Sequence, residues 1–280
     1  MIDEREIDDK RRFEFGSNWT NFLSVLNQQR IDDAESSLKD MLGIERLDGL
    51  RFLDIGSGSG LFSLAARRLG ARVHSFDFDS QSVACTRELK RRYFPDDVEW
   101  KIEQASVLDR AYLEGLGQYD IVYSWGVLHH TGAMWLALEN AIGRVNTARG
   151  KLFIALYNDQ GWKSHVWWLV KRVYNQLPRI LRSLFVKAVM LLTYFAVFAK
   201  YTIRLKPMTA INAFRTPERE RGMTSKYDRI DWVGGFPYEF VSFDTLTSYL
   251  KARGFRIINS KRNTSLGCSE WAAERTQCAE

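Results

Sequence analysis

The sequence predicts an α/β fold: a doubly wound, Rossmann-like sheet, mostly parallel, with an antiparallel last strand. Three observations predict it. Between Arg51 and Tyr157, five apolar strand-like runs alternate with helical periodicities, each unit near the length of a βα repeat. The first run breaks into a glycine-rich turn, FLDIGSGSGLF (52–62), as a strand does where it hands a nucleotide to the following helix. The last two strand candidates are joined too closely to hold a crossover helix, so they pair antiparallel.

Each element has its own warrant. From Asn18 to Met41, apolar residues recur at helical spacing (Trp19, Phe22, Leu23, Leu26, then Ile31, Ala34, Leu38, Met41), predicting one or two amphipathic helices. RFLDI (51–55) is a strand, Leu61 to Leu69 a helix and RVHSFD (72–77) a second strand. Ser80 to Tyr93 is a helix with Ser80 as its N-cap. VEWKIE (98–103) alternates as a strand, Asp109 to Leu116 is a short helix, and YDIVYS (119–124) is the fourth strand. Met134 to Val145 is helical, and Gly150 introduces the strand KLFIALY (151–157). The rhythm is then lost for about 80 residues, far beyond an ordinary connection, and marks an insertion. It resumes with a helix, Phe243 to Ala252, closed by Gly254, and the strands FRIINS (255–260) and CSEWAA (268–273). The chain thus divides into an N-terminal helical segment (1–48), a nucleotide-binding core (49–157), a helical, basic insertion (158–240) and a C-terminal part of the core (241–280).

Composition narrows the function classes. With 45% hydrophobic and 26% charged residues, the chain can bury a core. Cys85, Cys268 and Cys278 make no disulfide framework or CxxC pair, and the four histidines fit no structural zinc site. A reducing compartment is expected, and MIDEREIDDKRRFEF, charged from its third residue, predicts no secretory signal. The expected location is cytoplasmic, with contact to a membrane left open. The net charge of +6 is unevenly spread: Gly161 to Ile230 holds 14 Lys or Arg against Glu218, Glu220 and Asp228, a balance of +11. An acidic partner should meet the protein there.

The glycines alone do not choose a cofactor. Gly56, Gly58 and Gly60 form GxGxG, whereas the dinucleotide fingerprint wants its third glycine where Leu61 stands. Asp54 ends the first strand, and a carboxylate there is costly unless it binds something. Asp77 ends the second strand, where an acid accepts hydrogen bonds from ribose hydroxyls. Charge discriminates between ligands. A pyrophosphate favours bare amides without a nearby carboxylate, whereas S-adenosylmethionine (SAM) carries an ammonium and a sulfonium. An acidic strand end suits SAM.

At this point the sequence resembles the class I SAM-dependent methyltransferases, in the branch typified by ubiquinone-biosynthesis O-methyltransferases. The resemblance covers roughly 50–157 and, less clearly, 242–273, and is carried by FLDIGSGSGLFSLAA, HSFDFD, QASVLD (104–109) and YDIVYSWGVLHH (119–130). It implies that Asp54, Gly56, Ser57, Gly58 and Gly60 surround the methionine moiety. It also implies that Asp77 holds the ribose, Phe78 packs on adenine, Ala105 and Ser106 touch the adenine edge, and Ser124 and Trp125 close the pocket. Helix capping and ordinary loop chemistry are the structural alternatives for Asp77 and Ser106. No metal is expected.

Methyl transfer from a sulfonium asks chiefly for positioning, and an oxygen acceptor also asks for a base. His129 and His130 follow the fourth strand, where the active-site loop of an open sheet lies; adjacent loop residues seldom face the same way, so one acts at most. Tyr157, Asn158 and Asp159 follow the fifth strand as acceptor contacts, although Asn-Asp-Gln-Gly is also turn chemistry. Phe13, Phe15, Asn18 and Trp19 either fold over the cofactor or anchor the N-terminal helix.

In the insertion, 181–205 is apolar on every helical face, with Lys187 and Lys200 as interruptions, and its longest uninterrupted run is too short to span a bilayer. Three readings follow: a helix buried in a lid or dimer contact, which is the expected one, a membrane-surface helix, or a wall of the acceptor site. Arg221, Lys226, Tyr227, Trp232 and Tyr238 are expected acceptor contacts. The function expected is O-methylation of a small-molecule or lipid- or glycan-linked acceptor. The alternatives are an RNA methyltransferase, an NAD(P)-dependent oxidoreductase or an idle SAM-binding module. No Asn/Asp-Pro-Pro-aromatic run follows the fourth strand, which weighs against base methylation.

Overall fold

The computed structural model describes residues 23–24, 26–203 and 232–276. Its sheet has seven strands: β1 (Arg51–Ile55), β2 (Arg72–Asp77), β3 (Trp100–Gln104), β4 (Ile121–Trp125), β5 (Lys151–Tyr157), β6 (Phe255–Lys261) and β7 (Cys268–Arg275). Their order is β3-β2-β1-β4-β5-β7-β6. The first five run parallel, and β7 lies antiparallel between β5 and β6. The expected fold class is the one observed.

Side-chain alternation explains the layering. Phe52, Ile121, Tyr123 and Phe153 face one side of the sheet, and Leu53, Val122, Leu152 and Ile154 the other. The first face is covered by α1 (Gln28–Leu42), α2 (Leu61–Arg68) and α3 (Ser80–Tyr93). The second is covered by α4 (Arg110–Leu116), α5 (Met134–Ile142) and α8 (Phe243–Ala252). Central strands buried on both faces read as continuous apolar runs, which is why RFLDI and KLFIALY were legible.

The boundaries needed small corrections. Asp79, not Ser80, caps α3: its carboxylate accepts from the Gln81 amide at 2.8 Å, because Asp79 still has extended backbone while Ser80 is already helical. β3 begins at Trp100, and Val98 is exposed before it. In α1, Ile31, Ala34, Leu38 and Met41 are buried as their spacing predicted, whereas Phe13, Phe15, Asn18 and Trp19 lie outside the described residues.

The insertion begins as a helical hairpin, α6 (Trp162–Gln176) and α7 (Arg179–Ile203), with a small core of its own around Tyr174, Met190 and Val233. Burial of this helix in a lid or dimer contact was the expectation, and within the chain α7 is buried along one face. Only the stripe Phe185, Val186, Val189 and Met190 packs inward, while Ile180, Leu184, Leu191, Leu192, Phe195 and Phe198 are exposed. Among the described residues no helix is long and apolar enough to cross a membrane.

Candidate active site

The chain winds outward from β1 to β3 and then crosses to β4, so the carboxyl ends of β1 and β4 form the topological switch point where open α/β sheets bind ligands. The glycine-rich turn leaves β1 there. The amides of Gly56 and Ser57 both donate to the Phe76 carbonyl, tying the turn to β2. Gly56 has φ 78°, and a Cβ on it would lie 2.5 Å from both Val127 methyls, so only glycine lets the loop after β4 lie against the turn.

The two acidic residues have different surroundings. Asp77 accepts from the Gly58 and Asp79 amides, each at 2.9 Å, one per carboxylate oxygen. Each oxygen keeps acceptor capacity, as ribose hydroxyls require. Phe78 beside it is 46% exposed, and Ala105 donates its amide to the Asp77 carbonyl. Asp54 is buried and ends a hydrogen-bond chain that sequence reading missed. Trp100 Nε1 donates to Ser75, the Ser75 and Ser63 hydroxyls are 2.6 Å apart, and Ser63 donates to Asp54 at 2.5 Å. Burial pushes the Asp54 carboxyl up to about 7 against the Ser63 hydrogen bond, with the neighbouring Asp77 charge adding to the rise. Burial likewise pushes Asp77 up to about 6 despite its two amide donors.

Other expected cofactor contacts have structural partners. Ser57 shares a hydrogen bond with Thr86, and Gly60 abuts the Thr86 backbone. The Ser106 hydroxyl accepts from the Leu108 amide in its own turn. Ser124 is fully buried and donates to the Ile55 carbonyl, bridging β4 to β1. Trp125 Nε1 donates to Glu270.

The histidines sit in a tight 3₁₀ turn, Leu128–His130, and the structure separates their roles. His129 is buried, and its Nδ1 accepts from the Tyr157 amide at 3.3 Å, which puts the proton on Nε2. His130 has the opposite tautomer. Its Nδ1 lies 2.6 Å from the Pro237 carbonyl and must donate to it, so that in the neutral ring Nε2 is the basic nitrogen. The Pro237–Glu239 strap holds this turn from several sides. The Glu239 amide donates to the His129 carbonyl, and its carboxylate accepts from the Met134 amide at the start of α5. Burial holds the Glu239 carboxyl above the usual range.

Tyr157 packs tilted on His129 with ring centroids 4.0 Å apart and meets His130 edge-on at 5.4 Å. Tyr238 packs on Tyr157 at 5.0 Å, and burial pushes its phenol up to about 12. Lys171, on the inward face of α6 with Ser164 and Tyr174, is buried against both rings and donates to the Trp232 carbonyl at 2.6 Å. It was not foreseen as part of the site, because its partner Trp232 lies 61 residues away along the chain. Asn158 is buried and donates to the Asn263 carbonyl, while Asp159 accepts from the Gly161 amide, so these two act in strand-end and turn geometry. Arg221, Lys226 and Tyr227 lie outside the described residues.

Against this geometry the comparisons are informative. Residues 53–152 match the family model described as a methyltransferase domain. Over those residues the core is similar to a methyltransferase domain. A ubiquinone biosynthesis O-methyltransferase of Xanthomonas oryzae pv. oryzae (strain PXO99A) is 32% identical over 136 residues, 49% of this chain and 52% of that protein. The chain therefore spans about half the length of the curated relatives it matches. Among solved structures, magnesium protoporphyrin IX methyltransferase from Synechocystis PCC 6803 with bound SAM superposes with a TM-score of 0.54 at 13% identity, over 97% of this chain and 99% of that one. PKMT2 from Rickettsia typhi gives a TM-score of 0.58 at 11% identity, over 94% and 53%. Both likenesses show the fold alone.

Proposed function

We propose that the protein transfers a methyl group from SAM to a hydroxyl oxygen of a small-molecule acceptor. The observation that carries this reading is Asp77. Its carboxylate is fixed by two turn amides at the switch point of a methyltransferase domain, beside an exposed aromatic ring. In this reading Asp77 accepts from the ribose hydroxyls, Phe78 covers the adenine, and Gly56, Gly58 and Asp54 line the cationic methionine end. The donor supplies an activated methyl group on a sulfonium. The acceptor oxygen forms the new C–O bond as the C–S bond breaks, and the electron pair leaves on sulfur.

His130 Nε2 takes the hydroxyl proton, oriented through Nδ1 by the Pro237 carbonyl. His129 is a positioning residue, Tyr157 and Tyr238 form an apolar wall, and Lys171 places one positive charge behind it. The names of the curated relatives support oxygen as the acceptor atom. Calorimetric titration with S-adenosylhomocysteine, SAM and NAD tests the cofactor assignment. Saturable binding of the first two without NAD is expected, and NAD binding alone would refute it. Transfer of labelled methyl from SAM into a panel of phenolic and carboxylic small molecules tests the acceptor class.

A further inference from the structure

We infer that the α6–α7 hairpin docks the protein on an anionic lipid surface. α7 is apolar on two opposite sides. One stripe packs on α6, and the opposite stripe, Ile180, Leu184, Leu191, Phe195 and Phe198, repeats at helical spacing with its side chains exposed. From Ile180 to Phe198 that stripe extends for about 27 Å. α6 also exposes Trp162, Val166 and Leu169, again one turn apart, and Trp162 is 72% exposed. An exposed apolar stripe of this length, interrupted only by the exposed Lys187 between Leu184 and Leu191, marks an interaction surface rather than ordinary exposed aliphatics.

Charge decides the occupant. Between Trp162 and Ile203 there are seven Lys or Arg and no Asp or Glu. Lys163, Arg172, Arg179 and Lys187 are exposed. A second copy of this chain would meet its own acid-free, cationic surface across a two-fold contact, with like charges opposed. A bilayer surface of anionic headgroups supplies both an apolar layer for the stripe and negative charge for its flanks. The exposed Trp162 at the start of the hairpin has an apolar body and a polar N–H, the chemistry favoured at such an interface. Because among the described residues no helix is long and apolar enough to cross a bilayer, the docking proposed is peripheral. It does not depend on the methyltransferase reading.

The test is sedimentation of the full chain with phosphatidylcholine vesicles, with and without phosphatidylglycerol, alongside light scattering without lipid. Binding confined to the anionic vesicles is expected, weakened by raising salt from about 0.1 to about 0.5 M. Leu191→Glu/Phe195→Glu should abolish it with thermal unfolding unchanged, and Lys163→Glu/Lys187→Glu should weaken it more than about tenfold. Sedimentation with neither vesicle, or equally with both, would overturn the inference. So would a dimer that dissociates in the Leu191→Glu/Phe195→Glu variant while lipid binding is absent, or loss of that variant's melting transition, which would mean the chain itself covers the stripe.

Discussion

At the scale of single residues, the site is a set of proton placements that the surroundings impose. The two imidazoles hold their protons on opposite nitrogens because one Nδ1 meets an amide and the other a carbonyl. His130→Ala should therefore slow methyl transfer by roughly 10²–10⁴-fold while S-adenosylhomocysteine affinity stays near that of the parent. His129→Ala should lower thermal stability as well as rate, since it removes a buried ring packed against Tyr157. Equal rates for the parent and both variants, measured by label transfer, would take the histidines out of the chemistry. Asp77→Ala should weaken S-adenosylhomocysteine binding by about 1.5–3 kcal/mol, the cost of losing charged hydrogen bonds, and calorimetry reads it directly. The two acids also predict a pH dependence. Both carboxyls are raised in the folded protein, to about 7 and about 6, so the folded state holds protons there that the unfolded chain has released. Their contribution to stability is thus lost as pH rises from about 4 through about 7. Binding of a cationic ligand should strengthen over pH 6 to 7 as the acids ionise. Titrations at pH 5.5 and 8 check the sign, and tighter SAM binding at 5.5 would contradict it.

At the scale of elements, legibility followed how local the information was. β1 and β5 were read to the residue because a central parallel strand is apolar on both faces and bounded by turn residues. The start of β3 was read two residues early because VEW continues the alternation into a turn, where Val98 finds nothing to pack on. The glycine-rich turn was legible as a motif, but its reason was not. Gly56 is required by Val127, which arrives from β4. Gly56→Ala should consequently cost S-adenosylhomocysteine binding and lower the melting temperature together, since the turn has φ 78° and no room for a methyl. Unchanged binding would mean the loop after β4 can retreat at little cost. The parts of the site that stayed hidden were long-range. Pro237, 107 residues from His130, fixes its tautomer, and Lys171 reaches Trp232 across 61 residues. No spacing along the chain announces such partners. The exposure of α7 was hidden for a related reason, since a helix apolar on every side reads the same whether its second face is covered by protein or by something else.

At the scale of the whole molecule, the two sheet faces and the hairpin hold three separate apolar clusters. The hairpin joins the site through α6, by Lys171, the packing of Trp167 on Trp232 and of His165 on Phe240, and the Asn175 side-chain amide on the Gly234 carbonyl. Lys171 in turn lies against Tyr157 and Tyr238, beside the histidines, whereas Asp77, Phe78 and the glycine turn are built from β1, β2 and their loops alone. Removing the hairpin should therefore divide the two halves of the proposed function. We expect that replacing residues 163–230 by a short linker leaves the seven-stranded core folded, with S-adenosylhomocysteine affinity within a few-fold of the parent, because neither large cluster draws on the hairpin. Methyl transfer to the acceptor should be lost, since the aromatic wall would be opened to water and its buried cation removed. Circular dichroism, calorimetry and label transfer on one preparation read the three quantities independently. Full transfer activity in the shortened protein would show that the hairpin takes no part in the reaction. Loss of cofactor affinity with the fold intact would instead place part of the SAM site on it.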